Sequence, residues 1–360
     1  MLSIVAACQS SCNREQARVI EDDDAAMTAD ITTELLSDFS PLPADIIRPD
    51  NPITEPKVTL GRMLYFDKRL SADQSVSCNT CHKLDAFGVD NKVVSDGIKA
   101  QKGKRNSPTV LNAAGHFLQF WDGREPDIEA QVKGPITNSV EMGMAGAKAV
   151  ESALHAIAGY ESLFKAAFPT DDNPVNFDNL ALAIGAFERK LVTPARWDTF
   201  LKSYEKGNAE GRDAITDEEK IGFKTFVETG CPTCHSGAFV GGHMFQKLGL
   251  VHPWIRHTIS NSGTETTDAT PKSDLGKFEV SGVESDKMLF KVPSLRNVEH
   301  TAPYLHDGTE PDLKQVVIKM AHHQLGRDIN DVQATSIVTW LKTLTGQVDP
   351  ELIKEPKLPE

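Results

Sequence analysis

The chain has 360 residues, of which 39% are hydrophobic and 25% are charged, and its formal net charge is -13 at pH 7. This length is sufficient for two domains that each bury a core, and the composition is typical of a globular protein. The negative net charge argues against nucleic acid and against an anionic membrane surface as partners. No run of apolar residues is long enough to span a bilayer.

The first 40 residues begin with a short apolar stretch and continue as a polar, acidic segment. Residues 1–8 (MLSIVAAC) resemble the end of a secretory signal, and the last four resemble the cleavage box of bacterial lipoproteins, in which the cysteine is acylated. The apolar part is short and no basic residues precede it. The sequence therefore leaves two alternatives, a lipid anchor at Cys8 or an ordinary N-terminus without structure. Residues 9–40 predict a flexible tether.

The next 160 residues predict an extended segment followed by helices. Five prolines between positions 41 and 56 predict a segment that runs along the surface. Apolar residues at helical spacing predict a helix over 58–66, which leads to the sequence CNTCH at 78–82. Further helices are predicted over 108–114, over 127–133, where Pro135 would end the helix, over 148–168 and over 178–192. We place the domain boundary between 194 and 206.

The last 150 residues repeat this arrangement. A capping box at 216–219 (TDEE) opens a predicted helix that runs into a second sequence of the same kind, CPTCH at 231–235. Residues 257–287 are polar and predict a mobile or loosely packed insert. Helices are predicted over 312–320 and 331–344, and the tail after Gly346 is predicted to pack on the first domain. Since no long alternating strand pattern occurs, the predicted fold is mainly α.

The two CxxCH sequences indicate the chemistry. Two thiols at this spacing can bond to the two vinyl groups of one haem, and the histidine that follows can bind its iron. Four cysteines in two pairs could instead form a zinc site or disulfides, but neither alternative explains the histidines. The cysteines and histidines of the two motifs thus predict two cytochrome c-like domains, each with one covalently bound c-type haem: Cys78, Cys81 and His82, and Cys231, Cys234 and His235.

Two longer stretches carry a family resemblance. Residues 105–142 read RNSPTVLNAAGHFLQFWDGREPDIEAQVKGPITNSVEM, and residues 291–308 read KVPSLRNVEHTAPYLHDG. With the order of the two motifs, they closely resemble the bacterial dihaem cytochrome c peroxidases, a family that includes the enzyme that matures the tryptophylquinone cofactor of methylamine dehydrogenase. The resemblance covers about residues 50–345. It implies a periplasmic enzyme, commonly a homodimer, that reduces hydrogen peroxide with electrons from a small cytochrome c or a cupredoxin.

The resemblance also implies roles for single residues. Residues 41–195 would form the peroxidatic haem domain, with His82 as proximal ligand, and residues 196–345 the electron-transfer haem domain, with His235 and Met320 as ligands. Residues 346–360 would be a tail. The distal acid–base residue would be Glu141. Further positions match the family's peroxide-binding glutamine, its tryptophan between the haems and its calcium ligands: Gln131, Trp121, and the set Asn106, Thr301 and Pro303.

Each of these roles has an ordinary alternative. The glutamate could be a solvated loop residue, the tryptophan a buried anchor and the methionine part of the core. Competing ligands for the second iron are Met244, Met288, His322 and His323, whereas His306 matches a family histidine that lies near the iron without binding it.

One position departs from the family pattern. In many members, a histidine in the loop after the first motif caps the peroxidatic iron until the other haem is reduced. Here the loop over 95–103 reads SDGIKAQKG, and Ile98 stands at that position. Because isoleucine cannot bind iron, we hypothesise that the first haem keeps an open face even when oxidised. His116 is the nearest other donor, but its position before Trp121 argues against a capping role.

Two functions compete with the peroxidase hypothesis. A protein-modifying oxidase of the tryptophylquinone-forming type would share the open first haem but have a tyrosine in place of Met320. A dihaem electron carrier would have side-chain ligands on both faces of each iron and would not react with peroxide.

Overall fold

A computed structural model describes residues 28–254, except 206 and 208, and residues 274–360; between these ranges it describes only the backbone of two short strands. Cys8 and the predicted signal lie outside the described residues. Among the described helices none is long and apolar enough to cross a membrane. The described chain is mainly helical, as predicted. The first six helices are α1 (Glu55–Phe66), α2 (Cys78–Cys81), α3 (Ile128–Thr137), α4 (Ala147–His155), α5 (Ala158–Ala167) and α6 (Phe177–Glu188).

The other six helices and four short strands complete the regular structure. The helices are α7 (Arg196–Glu205), α8 (Asp217–Thr229), α9 (Phe278–Ser281), α10 (Leu313–Leu325), α11 (Asp331–Leu341) and α12 (Pro350–Ile353). The strands are β1 (Phe245–Lys247), β2 (His257–Ile259), β3 (Glu265–Thr267) and β4 (Leu289–Lys291). β1 pairs with β4 and β2 with β3, both antiparallel, and Phe245 lies opposite Lys291.

Two large hydrophobic cores divide the described chain, and a small third cluster contains Leu42, Ile46 and Val192. The first is built mainly by α1 and α3–α6 and contains Tyr65 and Phe187. The second is built mainly by α7, α8 and α11 and contains Trp197, Phe223 and Trp340, whose rings contact one another. The chain passes from one core to the other between 191 and 197, at the start of the segment where the sequence predicts the domain boundary.

In each core, the helix that leads to the CxxCH motif crosses a later helix at a glycine. A Cβ atom on Gly61 of α1 would lie 2.0 Å from the carbonyl oxygen of Ala183 in α6. A Cβ atom on Gly222 of α8 would lie 2.1 Å from the carbonyl oxygen of Ser336 in α11. Only glycine permits backbones to approach so closely. These two crossings therefore fix the positions of α1 and α8, the helices that precede the two motifs.

Three helix predictions were wrong. The segment 108–114 forms no α-helix and contains only the start of a 3-10 turn over Ala113–Gly115. The segment 148–168 forms two helices, because Ile157 is extended (φ -109°, ψ 97°) and turns the chain between α4 and α5. Pro135 lies inside α3 and does not end it. The loop after α3 satisfies carbonyls of the helix's last turn: Met142 N–H donates to the Pro135 carbonyl at 3.2 Å and Met144 N–H to the Ile136 carbonyl at 2.9 Å.

Other differences concern bounds and the chain ends. α10 continues to Leu325, beyond the predicted end at 320, and the capping box at Thr216 and Glu219 forms as predicted. The described part of the predicted tether, residues 28–40, is not free: Leu36 and Phe39 are buried in the second core. Most of the predicted polar insert lies outside the described residues.

The C-terminal tail packs on the first core, as predicted. Leu352, Ile353 and Leu358 pack against this core. The Arg62 Nε of α1 donates to the Lys354 carbonyl at 3.1 Å, and the Glu360 carbonyl accepts from Gly159 N–H at 3.2 Å. The end of the chain thus covers the core of the half from which it is most distant in sequence.

We expect Gly61→Ala and Gly222→Ala each to lower the free energy of unfolding by about 1–3 kcal/mol, because the added methyl group forces the crossing helices apart. Thermal unfolding of the haem-loaded protein, followed by far-UV circular dichroism, would show it. Gly134→Ala in α3 is the matched control, since its Cβ would lie 3.5 Å from Phe120 Cζ, an ordinary contact. Unfolding of both test variants at the wild-type temperature would contradict the role of the crossings.

Candidate active site

The first CxxCH motif forms a short helix beside the first core. Ser77 caps this helix, α2, and its N–H donates to Thr80 Oγ1 at 2.9 Å. His82 ends the helix, and its carbonyl accepts a hydrogen bond from the Tyr65 hydroxyl at 2.6 Å. Burial lowers the pKa of the His82 imidazole. The ring is therefore neutral at pH 7, which is the form that binds a metal.

The second motif follows α8 directly. Gly230 ends this helix in the left-handed conformation (φ +97°), which glycine adopts without strain, and the two cysteines follow in a tight turn. His235 Nδ1 lies 3.3 Å from the Val240 carbonyl oxygen. Because Nδ1–H donates to this carbonyl, Nε2 is the nitrogen left to bind iron. Burial lowers the pKa of His235 to about 4, so this ring is also neutral.

The zinc and disulfide alternatives do not fit these motifs. All four motif cysteines are free thiols, and the pairs lie beside different cores. In the part of the chain that the structure describes, no group of three or more His, Cys, Asp or Glu could hold a metal ion. Burial raises the pKa of Cys81 to about 11 and that of Cys231 to about 12, so both are neutral thiols when no group is bound. Two thiols and one neutral imidazole per motif fit a c-type haem.

Glu141 lies in the loop after α3, near the first motif. Its carboxylate accepts a hydrogen bond from the Asn138 side-chain amide at 2.9 Å. Its charge contributes to raising the pKa of Cys81, so the two groups lie within electrostatic reach. Burial raises the pKa of Glu141, and the Arg124 guanidinium opposes this rise. A half-buried carboxyl with a raised pKa is suited to accept and return a proton near neutral pH.

Gln131 lies on α3, the helix that leads to the Glu141 loop. It is half buried, and its side-chain amide forms no hydrogen bond with the described residues. On the same helix Gly134 lies against the ring of Phe120, and the Arg124 guanidinium stacks 3.3 Å from the centre of that ring. The helix therefore brings Gln131 and Arg124 to the same part of the first half. Gln131 and Glu141 form no hydrogen bond with each other.

Ile98 is buried in the first core and faces the Glu141 loop. Its N–H donates to the Glu141 carbonyl at 2.8 Å, and a Cβ atom on Gly143 would lie 2.2 Å from Ile98 Cδ1. The Gln101 side chain donates to the Ser139 carbonyl at 3.1 Å. This loop is thus held by an apolar side chain and by hydrogen bonds to backbone carbonyls.

Trp121 lies where the two halves of the chain meet. Its Nε1–H donates to the Asn106 carbonyl at 2.9 Å, and its own carbonyl accepts from Lys291 N–H at 2.8 Å. Its ring lies 6.4 Å, edge to face, from the ring of His306, which also contacts Phe290 at 4.3 Å. Trp121 is thus fixed by contacts to both halves.

The three predicted calcium ligands lie on neighbouring segments. The Asn106 side-chain NH₂ donates to the carbonyls of Lys92 (2.9 Å) and Val93 (3.3 Å), so its amide oxygen faces away from these two acceptors. The Asn91 side chain in turn donates to the His300 and Ala302 carbonyls, on either side of Thr301. The first-half segment 91–106 is therefore in contact with the backbone around 300–303.

Met320 lies on α10, half buried, directly before the buried Ala321. The neighbouring histidines have other partners. His322 Nδ1 lies 2.7 Å from an Asp328 carboxylate oxygen, and His323 Nδ1 lies 3.1 Å from the His252 carbonyl. The backbones of the other two methionines, at 244 and 288, are hydrogen-bonded near the β1–β4 pair. Both contacts involve Nδ1 and leave Nε2 of each ring, so they do not exclude either histidine as a ligand.

Sequence reasoning missed Tyr65 and Glu188. Tyr65 donates to the carbonyl of His82, and its place at the end of the helix before the motif was a usable signal. Glu188 is 6% exposed at the end of α6, and burial raises its pKa to about 8. Its charge acts on Tyr65 and Cys78, which places it near the first motif. No sequence pattern distinguishes it from a solvated glutamate at a helix end.

Comparison with known proteins identifies relatives over most of the chain. Residues 55–206 match the family model of the di-haem cytochrome c peroxidases. The chain is 41% identical over 312 residues to cytochrome c551 peroxidase of Pseudomonas aeruginosa, an alignment that covers 86% of this chain and 84% of that protein. It is 38% identical to cytochrome c551 peroxidase of Nitrosomonas europaea, with coverage of 88% and 87%.

A solved structure agrees with this assignment. The chain is similar to a MauG-like protein associated with microbial copper homeostasis, with a TM-score of 0.71 and 28% identity over 88% of this chain and 95% of that one. The family implies two c-type haems, which agrees with one CxxCH motif beside each core. Both the motifs and the extent of the identity lead to one conclusion: this chain belongs to the di-haem cytochrome c peroxidase family.

Proposed function

We propose that this protein is a periplasmic peroxidase that reduces hydrogen peroxide to water with electrons from a small cytochrome c or a cupredoxin. The observation that carries the proposal is the half-buried Glu141 beside the first CxxCH motif, with a pKa that burial raises. The identity of 41% and 38% to two cytochrome c551 peroxidases supports the same reaction.

In this proposal the two irons have different ligands. His82 would hold the first iron, and His235 and Met320 would hold the second. The first haem would supply a Lewis-acidic site for peroxide, and the second would supply an electron from a centre of high reduction potential. Glu141 accepts the proton of one peroxide oxygen and returns it to the other, so that water can leave. Gln131 donates a hydrogen bond from its amide to the bound peroxide.

Trp121 is the proposed bridge for the electron that the second haem provides. Its indole is held by Asn106 from the first half, and its carbonyl by Lys291 from the second. A ring fixed from both sides keeps one geometry, which favours reproducible electron transfer. Its alternative role as a packing anchor is compatible with this one.

A calcium ion between the halves is also proposed, with Asn106, Thr301 and Pro303 as ligands. The support is the orientation of the Asn106 amide and the contact between the segments around 91–106 and 300–303. An amide oxygen and backbone carbonyls suit a hard cation. We also propose a homodimer, because the family commonly forms one. The N-terminal sequence supports acylation of Cys8.

Steady-state assays separate this function from its rivals. A peroxidase oxidises a reduced small cytochrome c or cupredoxin continuously when hydrogen peroxide is added, in a two-to-one ratio of donor to peroxide. A protein-modifying oxidase would react with peroxide but turn over these donors poorly. A dihaem electron carrier would not bind cyanide in its oxidised state. Either of the last two results would overturn the proposal.

We expect Glu141→Gln to lower kcat/KM for peroxide by about 10²–10⁴-fold, because glutamine cannot accept the proton. The wild-type rate should fall as the pH falls through the raised pKa of Glu141, since the carboxylate must be ionised to act as a base. This loss begins at a higher pH than for an ordinary glutamate, whose pKa is about 4.3.

Stopped-flow mixing with peroxide across the pH range measures both effects. The matched control is Glu161→Gln, which changes a side chain 65% exposed on α5 and should leave the rate unchanged. An unchanged rate and pH profile in Glu141→Gln would exclude the acid–base role, provided that its haem content equals that of the wild type.

We expect the fully oxidised protein and the half-reduced protein to react with peroxide at the same rate, because Ile98 cannot cap the first iron. Its EPR spectrum should lack the low-spin signal of an iron with two histidine ligands. Ile98→Leu, which keeps an apolar side chain in the core, should behave like the wild type. A bis-histidine signal in the oxidised wild type, or a reaction that requires prior half-reduction, would disprove the hypothesis.

A further inference from the structure

The amine of Lys291 is buried where the two halves of the chain meet. Lys291 is 8% exposed at the end of β4, and its N–H donates to the Trp121 carbonyl. Its Nζ donates to the Leu118 carbonyl at 3.0 Å and lies 3.3 Å from His116 Nδ1. A buried lysine is uncommon, because its ammonium loses hydration that neutral partners restore only in part.

No carboxylate of the described residues forms an ion pair with this amine. Asp122 is close enough to raise the pKa of Lys291, but it already binds both Arg105 (2.5 Å) and Arg124 (2.8 Å). Other charged or titratable groups on the elements packed around the amine are His243, Lys247, Asp274, which binds Arg105, and Lys277, which lies 5.1 Å from the ring of Phe245. The positive charge of Lys291 is therefore not neutralised locally.

His116 remains neutral beside it. Since Nδ1 accepts a hydrogen bond from the ammonium, Nε2 carries the proton, and it finds no acceptor among the described residues. Burial and the Lys291 charge lower the pKa of His116 well below its usual value. The pair thus holds one positive charge, and it resides on the lysine.

This charge lies close to the loop that holds the second motif's histidine. The Val292 carbonyl, next to Lys291, accepts from Gly242 N–H at 2.9 Å, and the Gly242 carbonyl accepts from Phe117 N–H at 3.0 Å. The same loop includes Val240, whose carbonyl binds His235 Nδ1. On the strand opposite β4, the Gln246 amide contacts Cys234 Sγ at 3.8 Å.

We infer that Lys291 is a buried cation that raises the reduction potential of the second haem. Reduction adds one negative charge to the haem, and a nearby positive charge in a medium of low dielectric constant stabilises that state. The inference rests on the proposed function, in which the second haem stores an electron at high potential. In this inference the charge of Lys291 raises the reduction potential of the second haem, in addition to the effect of the proposed histidine and methionine ligands.

The charge can also be removed by pH. Burial lowers the pKa of Lys291 to about 8, against the opposing effect of Asp122. Below this pH the amine is protonated and the potential is high. As the pH rises through this value the proton is lost, the ferrous state loses its stabilising neighbour, and the potential falls.

Redox titration of the second haem tests the inference with three side chains at one position. The titration covers about two pH units on either side of this pKa. In the wild type the potential falls as the pH passes about 8. In Lys291→Arg it stays high over the whole range, because guanidinium does not deprotonate there. In Lys291→Met it is low throughout and meets the wild-type curve at high pH.

Lys247→Met is the matched control. It removes the same charge from an exposed position on β1, where water screens it, and should reproduce the wild-type curve. A wild-type curve in Lys291→Met, or a fall near this pH in Lys291→Arg, would overturn the inference. If Lys291→Met binds fewer than two haems, the comparison of wild type with Lys291→Arg decides alone. The redox titration contains no peroxide. Its result is therefore independent of the steady-state assay that tests the peroxidase function.

Discussion

The ion pair between Asp198 and Arg296 holds the second motif's loop to the junction of the two cores. Both side chains are almost fully buried, at 2% and 1% exposure, and the pair is joined by two hydrogen bonds of 2.8 and 2.9 Å. Asp198 also accepts from the N–H groups of Leu42 and Ala195, and Arg296 donates to the Ala238 carbonyl. Because each charge has several partners, burial is tolerated here, whereas the loss of one partner would cost about 3–5 kcal/mol.

A second buried network beside it fixes the loop that reaches Trp121. The Thr193 hydroxyl accepts from the side-chain amides of Asn112 (2.8 Å) and Asn297 (2.9 Å), and the Asn112 amide oxygen accepts from Thr193 N–H. The network joins the first half, the junction and the second half with uncharged groups. Electron transfer between two sites depends on a constant separation, and these two networks supply it without any contact between the motifs themselves.

The two motifs have the same sequence pattern but opposite electrostatic surroundings. Near the first lie two half- or fully buried carboxyl groups, Glu141 and Glu188, whose pKa values burial raises. Near the second lies the buried amine of Lys291. In the proposed function, the carboxyl groups would serve the haem where protons move, and the cation would serve the haem that stores an electron.

The sequence by itself determined the chemistry, the helical class and the family, because CxxCH spacing and long motifs are local patterns. It also predicted the capping box at Thr216 and the tail on the first core, but not the continuation of α3 through Pro135. Only the tertiary structure decided which titratable groups are buried. Burial, unlike spacing, depends on segments far apart in sequence, as Lys291 shows with partners about 170 residues away.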